Sequence, residues 1–258
     1  MTKLKKYRSW GARIVLSLTF FLGLGCSQAY QVTQIEGKEL PVTADHGQSE
    51  KIEAFIKPYR DHIDREMNTV LTYAPQNLDK LSGKWQTGIG DLMADAMLER
   101  GNRILAARTG RTAQICLLNF GGIRSMIPQG NVTTRTAFEI MPFENSLVAV
   151  RLPGQKIAEM ANYLASDKKA HPTAGLELVL RSGKPVSIKV GGKPFNIDAT
   201  YEVITSDYLL NGGDNMTFFS AGLEVTHLDY KIRNVLIDYF RDADTLEAPT
   251  DIRIKELP

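Results

Sequence analysis

Gln114-Ile115-Cys116-Leu117-Leu118 runs directly into Asn119-Phe120-Gly121-Gly122-Ile123-Arg124. The short apolar run reads as a buried strand, and the paired glycines that follow read as a turn. Gly121 and Gly122 allow positive φ and a close approach of backbone to a ligand. Arg124 then presents a planar fork of donors suited to a phosphate or to paired oxygens. Asn119 both donates and accepts. The bland alternative is a tight strand-to-helix turn with Arg124 in a surface ion pair.

The turn has two echoes downstream, Pro142-Phe143 and Asn211-Gly212-Gly213-Asp214. A carboxylate at a glycine turn can accept hydrogen bonds from vicinal hydroxyls such as those of a ribose. An ordinary β-turn uses the same residues. Tyr208 precedes this turn by three residues, and Phe143 lies in a separate loop. Two rings from different loops can sandwich a base, at about 1–3 kcal/mol per base stacked. Core packing is the competing reading for either ring alone. Together the three segments describe a pocket for a small, flat, polyhydroxylated, negatively charged ligand.

Around these segments, helices and strands alternate. Ile52, Phe55, Ile56, Tyr59, Ile63, Met67, Val70 and Leu71 recur at helical spacing. Ile89, Leu92, Met93, Ala96 and Met97 form a second apolar stripe, expected to stop near Gly101. Ser146–Leu152 reads as a strand, followed by a helix from Pro153-Gly154 with Ile157, Met160, Ala161 and Leu164 inward. Leu176–Leu180 and Val186–Val190 flank Gly183 and predict a hairpin. Tyr201–Thr205 is a further strand leading toward Asn211–Asp214. Ile232, Val235, Leu236, Tyr239 and Phe240 predict a last amphipathic helix. The expected class is mixed α/β, with helices packed on a mixed sheet.

The first 25 residues stand apart. Lys3, Lys5, Lys6, Arg8 and Arg13 precede the apolar run Ile14–Leu24, which ends at Gly25-Cys26. A basic head, a short apolar stretch and small residues describe an export signal. We read 1–25 as a lipoprotein-type signal, with Cys26 acylated and the protein held on the periplasmic or cell-surface side of a bacterial envelope. An ordinary secretory signal cut near Ala29 is the alternative. Residues 26–47 read as a tether and 48–258 as one domain. The formal net charge is +2. Losing the five basic residues of 1–25 leaves about −3, which argues against nucleic acid as a partner. Cys116, in its apolar run, reads as a buried small hydrophobe.

The order of Gly88-Ile89-Gly90-Asp91-Leu92, Asn119–Arg124, Pro142-Phe143 and Tyr208–Asp214 resembles the C-terminal domain of the 5'-nucleotidase family, over roughly residues 48–258. The resemblance implies a domain that binds the nucleoside part of a nucleotide. Carried over by position, Phe143 and Tyr208 clamp the base and Asp214 holds the ribose. Asn119, Gly121 and Arg124 form the wall on the ribose and phosphate side. The chain departs from the family pattern at several places. Phe120 stands where a third Gly is frequent, Tyr208 where Phe is frequent, and Glu144-Asn145 where a Gly is usual. Lys84-Trp85-Gln86 occupies the neighbourhood of a substrate-reaching Arg.

Full-length members carry a two-metal metallophosphatase domain whose ligands include Asp-x-His and Asn-His segments. None of His46, His62, His171 and His227 sits in such a segment, and each reads as a surface or capping histidine. Asp91 and Asp95, one helical turn apart, read as a solvated helix face. No catalytic or metal-binding residue and no cofactor is therefore expected in this chain. The resemblance implies the substrate-recognition half of a 5'-nucleotidase, with divalent metals supplied by a separate metallophosphatase polypeptide. The alternative is a non-catalytic surface lipoprotein that binds nucleosides or nucleotides.

Overall fold

The computed structural model describes residues 32, 34–43 and 47–258. Residues 1–25, expected to form an export signal, lie outside the described residues, as do Cys26 and His46. The chain divides into the units Met1–Glu53 and Ala54–Pro258. In the first, residues 34–43 are exposed and form neither helix nor strand.

In chain order the elements are α1 (Glu50–Met67), β1 (Val70–Ala74), α2 (Gly88–Thr109) and β2 (Ile115–Leu117). A one-turn 3₁₀ segment, Phe120–Gly122, follows β2. Then come β3 (Gly130–Thr133), α3 (Thr134–Ile140), β4 (Ser146–Pro153), α4 (Gly154–Asp167) and β5 (Thr173–Ala174). The chain continues through β6 (Leu176–Arg181), β7 (Lys184–Val190), β8 (Lys193–Pro194), β9 (Thr200–Ser206) and α5 (Asp207–Leu210). After 3₁₀ turns at Gly213–Asn215 and Thr217–Ala221 it ends in β10 (Glu224–Lys231), α6 (Ile232–Asp242) and β11 (Ile254–Leu257).

The central sheet has the order β10-β4-β9-β2-β5. β2 runs parallel to β9, whereas the β10–β4, β4–β9 and β2–β5 pairs are antiparallel. The sheet is mixed, as expected. Alternation along its strands divides the core in two. Cys116, Leu118, Leu147, Ala149 and Ile204 face one cluster, built with α2, α6 and the β1–β3 pair. Ile115, Leu117, Val148, Val150 and Val203 face the other, built with α4 and the sheet β11-β6-β7-β8. Each fully buried Leu, Ile or Val among them contributes about 1.5–3 kcal/mol. The predicted hairpin is β6–β7, closed by Ser182 and Gly183, both at positive φ.

Several expectations need correction. The first helix ends at Met67, so Val70 and Leu71 belong to β1, and the apolar residues Phe55, Tyr59 and Ile63 are exposed. The second helix does not stop near Gly101 but runs to Thr109, with Gly110 as its left-handed cap. Gly101 lies against the sheet, where a Cβ would stand 2.6 Å from Ile204 Cδ1. It is a contact glycine, not a helix stop.

Asp91 is not solvated either. It is 3% exposed and faces Arg253 at 3.7 Å. Arg253 is itself buried and donates to Thr173 O at 2.6 Å, Asp95 Oδ2 at 2.7 Å and Asp251 Oδ2 at 2.9 Å. This cluster straps the C-terminal segment across α2 and β5. Burial, opposed by Arg253, pushes the Asp91 carboxyl up to about 6.

Candidate functional site

β2 and β9 are parallel and β4 is antiparallel to β9, so three connections emerge at one end of these strands. The β2 exit carries Asn119–Arg124, the approach to β4 carries Phe143, and the β9 exit carries Tyr208–Asp214. All six residues singled out in the sequence, Asn119, Gly121, Arg124, Phe143, Tyr208 and Asp214, line one cavity of about 290 Å³. Gly122 and Asn145 complete the lining.

Asp214 is the hub. Its Oδ2 accepts from Asn119 Nδ2 at 2.8 Å and its Oδ1 from the Tyr208 hydroxyl at 2.9 Å. Tyr163 Oη donates to its backbone carbonyl at 2.8 Å. An ionised carboxylate has about four acceptor positions, so each oxygen retains room for an incoming hydroxyl. Asp214 holds φ 51°, ψ 28°, and Asn215 holds φ 58°. Left-handed backbone is therefore used here by non-glycine residues. Gly121 and Gly122, expected to supply positive φ, do not adopt it and lie in the 3₁₀ turn. Their small size matters instead: a Cβ on Gly122 would stand 3.0 Å from Asn119 Oδ1.

Phe143 and Tyr208 both remain exposed on the cavity wall, at 40% and 42%, rather than packed in the core. The Arg124 guanidinium lies 5.8 Å from the Phe143 ring centre. Lys80, which sequence reasoning missed, joins it. Its ammonium donates to Ile123 O at 2.6 Å and sits 4.5 Å from the Phe120 ring centre. Burial and the neighbouring Arg124 charge depress the Lys80 pKa. Among the described residues neither cation has a carboxylate partner, so this rim carries uncompensated positive charge. Tyr163 and His171 were also missed as site-supporting residues. Burial pushes the Tyr163 phenol up to about 12.

Lys84 pairs with Glu256 at 2.6 Å and does not line the cavity. Glu144 neither enters the cavity nor stands free, because it bridges Lys231 and Arg233. His62 and His227 are exposed as expected; His171 is buried, at 3% exposure, and meets the capping half of that expectation. Its location is set by Asp167 and by the Phe120 amide. Cys116 is fully buried, and burial raises its thiol pKa strongly. Among the described residues no group of three or more His, Cys, Asp or Glu side chains is placed to hold a metal. Among the same residues no helix is long and apolar enough to cross a membrane.

The model of the 5'-nucleotidase C-terminal domain matches residues 70–221. The 5'-nucleotidase of Vibrio vulnificus is 28% identical over 170 residues, covering 62% of this chain and 28% of that protein. Protein UshA of Salmonella pullorum is 29% identical over 199 residues, 72% of this chain and 35% of that protein. The chain thus spans about a third of the length of these relatives. Among solved structures, the 5'-nucleotidase precursor of Thermus thermophilus superposes with a TM-score of 0.66 at 26% identity. That match covers 81% of this chain and 42% of the other. The NAD nucleotidase of Haemophilus influenzae shares the fold, with a TM-score of 0.62 at 19% identity. The family model spans more than half of the chain, and this chain belongs to the 5'-nucleotidase C-terminal domain family.

Proposed function

We propose that this chain is the nucleoside- or nucleotide-recognition half of a 5'-nucleotidase. Phe143 and Tyr208 clamp the base, Asp214 accepts from the ribose hydroxyls, and Asn119 holds that carboxylate in place. Arg124, with Lys80 behind it, faces the phosphate side. The observation that carries this reading is the convergence of six residues, from three separate segments, on one cavity.

In this reading a separate metallophosphatase polypeptide supplies divalent metals and the activated water. The joined pair hydrolyses nucleoside 5'-monophosphates to nucleoside and phosphate. This chain's contribution is positioning, which can lower a barrier by roughly 7–11 kcal/mol at best. We also propose that residues 1–25 direct export and that Cys26 is acylated, placing the pair on a membrane surface. Mass spectrometry of the purified chain tests the anchor: a diacylglyceryl group on Cys26 supports it, and an N-terminus near Gln28 to Tyr30 without lipid sinks it.

Calorimetry of adenosine and AMP onto the full chain, with Asp214→Asn beside wild type, tests the recognition half. Binding that the substitution weakens supports the reading. Absence of binding to wild type overturns it for the isolated chain. Phosphate release from AMP after addition of a metallophosphatase polypeptide and Mn²⁺ tests the division of labour. Binding with no release in any such mixture favours a non-catalytic nucleoside-binding lipoprotein.

A further inference from the structure

We propose that His171 is a positioning residue of this cavity. It takes over the capping of the Phe120–Gly122 turn, which leaves Asn119 to orient the Asp214 carboxylate, and its protonation releases that turn. The ligand consequence rests on the nucleoside reading above; the coupling of His171 to the turn does not.

The first amides of any helical turn need acceptors from outside it. Asn119 stands at the cap position of this turn with extended backbone, φ −96° and ψ 143°, and is a residue type that commonly caps. It makes no side-chain cap. Its amide group is turned to Asp214 instead, at 2.8 Å. The Phe120 N–H donates to His171 Nδ1 at 3.1 Å. That bond leaves Nδ1 without a proton, so the ring proton is on Nε2, which donates to Asp167 Oδ2 at 2.8 Å. The cap on the β2 exit is thereby supplied by the segment between α4 and β5.

The same unit reaches the other wall. The Tyr163 ring lies 5.7 Å from the His171 ring, and its hydroxyl holds the Asp214 carbonyl. His171 and Tyr163 therefore brace the Phe120 turn and the Asp214 turn from behind. A second cavity of about 380 Å³ opens on that side, lined in part by Tyr163, Asp167, Lys169 and His171.

The charged and titratable groups around the imidazole are Asp167 and Tyr163 from α4, Lys169 from the loop and Asp214 across the cavity. Burial lowers the His171 pKa, opposed by Asp167 and Asp214 and assisted by Lys169. The ring is therefore neutral at neutral pH and charges only below the usual imidazole range of about 6.5. Once charged, Nδ1–H confronts the Phe120 N–H, two donors face each other, and the cap is lost. Loss of one such bond weakens a coupled equilibrium by roughly three- to tenfold.

The test is an NMR pH titration of the ¹⁵N-labelled full chain, run beside adenosine calorimetry over the same range. The Phe120 amide is expected to follow the His171 imidazole with one midpoint below about 6.5. Adenosine affinity is expected to fall roughly three- to tenfold through that midpoint. His171→Asn, whose Oδ1 stands where Nδ1 stood and does not titrate, should restore the neutral-pH affinity without the acid limb. His171→Phe should be weak at every pH. A Phe120 amide that ignores the imidazole, or an acid limb that persists in His171→Asn, overturns the proposal. An amide that follows the imidazole in a chain that binds no adenosine keeps the positioning role and sinks the nucleoside reading.

Discussion

The Tyr208 hydroxyl donates to Asp214 Oδ1 at 2.9 Å, across a turn in which Gly213 lies directly beneath the tyrosine ring. The aromatic wall and the carboxylate are thus one mechanical unit.

Asp214→Asn is expected to weaken adenosine binding by roughly 10- to 100-fold, the scale of lost hydrogen bonds to a charged group. Asn tolerates the left-handed backbone at this position, so the loss reports chemistry rather than strain. Calorimetry with 2',3'-dideoxyadenosine separates the two. Its affinity should be nearly the same for wild type and variant, because it offers Asp214 no hydroxyls.

Gly213→Ala would place a Cβ 2.4 Å from Tyr208 Cε1. Relief requires the ring to swing away or the turn to shift, at a cost of about 1–3 kcal/mol. Adenosine affinity and the thermal midpoint should both fall. Tyr208→Phe, which keeps the ring and drops only the hydroxyl, should lose less affinity than Gly213→Ala. Equal affinity in Gly213→Ala and wild type would show that the packed ring is not the stacking surface.

Glu144 pins the loop that carries Phe143. It bridges Lys231 and Arg233, and Arg233 also donates to Phe143 O at 3.4 Å while lying over Phe138. Hydrogen bonds from Lys231, and then Arg233, hold the Glu144 carboxyl down at about 2. A lowered folded-state pKa contributes stability that is present above about 4.5 and is lost as pH falls toward 2. Glu144→Gln should flatten that part of a melting-temperature profile and, by loosening the Phe143 loop, weaken adenosine binding by roughly three- to tenfold, the scale of one ordinary hydrogen bond.

Asp91 has the opposite sign. Its carboxyl is pushed up to about 6, so between about 4 and 6 the folded state binds more protons than the unfolded state. Wild-type stability should therefore fall as pH rises through that window and level off above it. Asp91→Asn removes the burial penalty, while Arg253 keeps Asp95 and Asp251. The variant should gain on wild type by about 1–3 kcal/mol between pH 4 and pH 7, read from melting curves. A difference independent of pH would show that Asp91 does not titrate in this window.

The periodic elements were legible because burial is periodic. The β2 run, the β6–β7 hairpin, α4 and α6 follow from local patterns of apolar residues. Gly101 was misread because a glycine that ends a helix and a glycine that admits a neighbouring Ile204 are identical in sequence. Asp91 was misread because its counter-charge, Arg253, comes from the far end of the chain. For the same reason Lys80 and Tyr163 gave no signal, and nothing in the sequence told which turn His171 caps: each acts on a segment distant in sequence.

By itself, the sequence determined the mixed class, the strand-to-glycine turn after Leu118 and the six residues around which a pocket could be built. These are decided by local backbone preference and side-chain chemistry. Tertiary structure alone decided that the six meet. The parallel pairing of β2 with β9 carries Asn119 to Asp214 across 95 residues, and the antiparallel β4 brings Phe143 to the same end of the strands. It also decided which groups stand behind them, because a hydrogen bond between His171 and the Phe120 amide exists only once both strands are in register. Pairing is a property of the folded sheet, set by burial on both its faces, and no short stretch of chain encodes it.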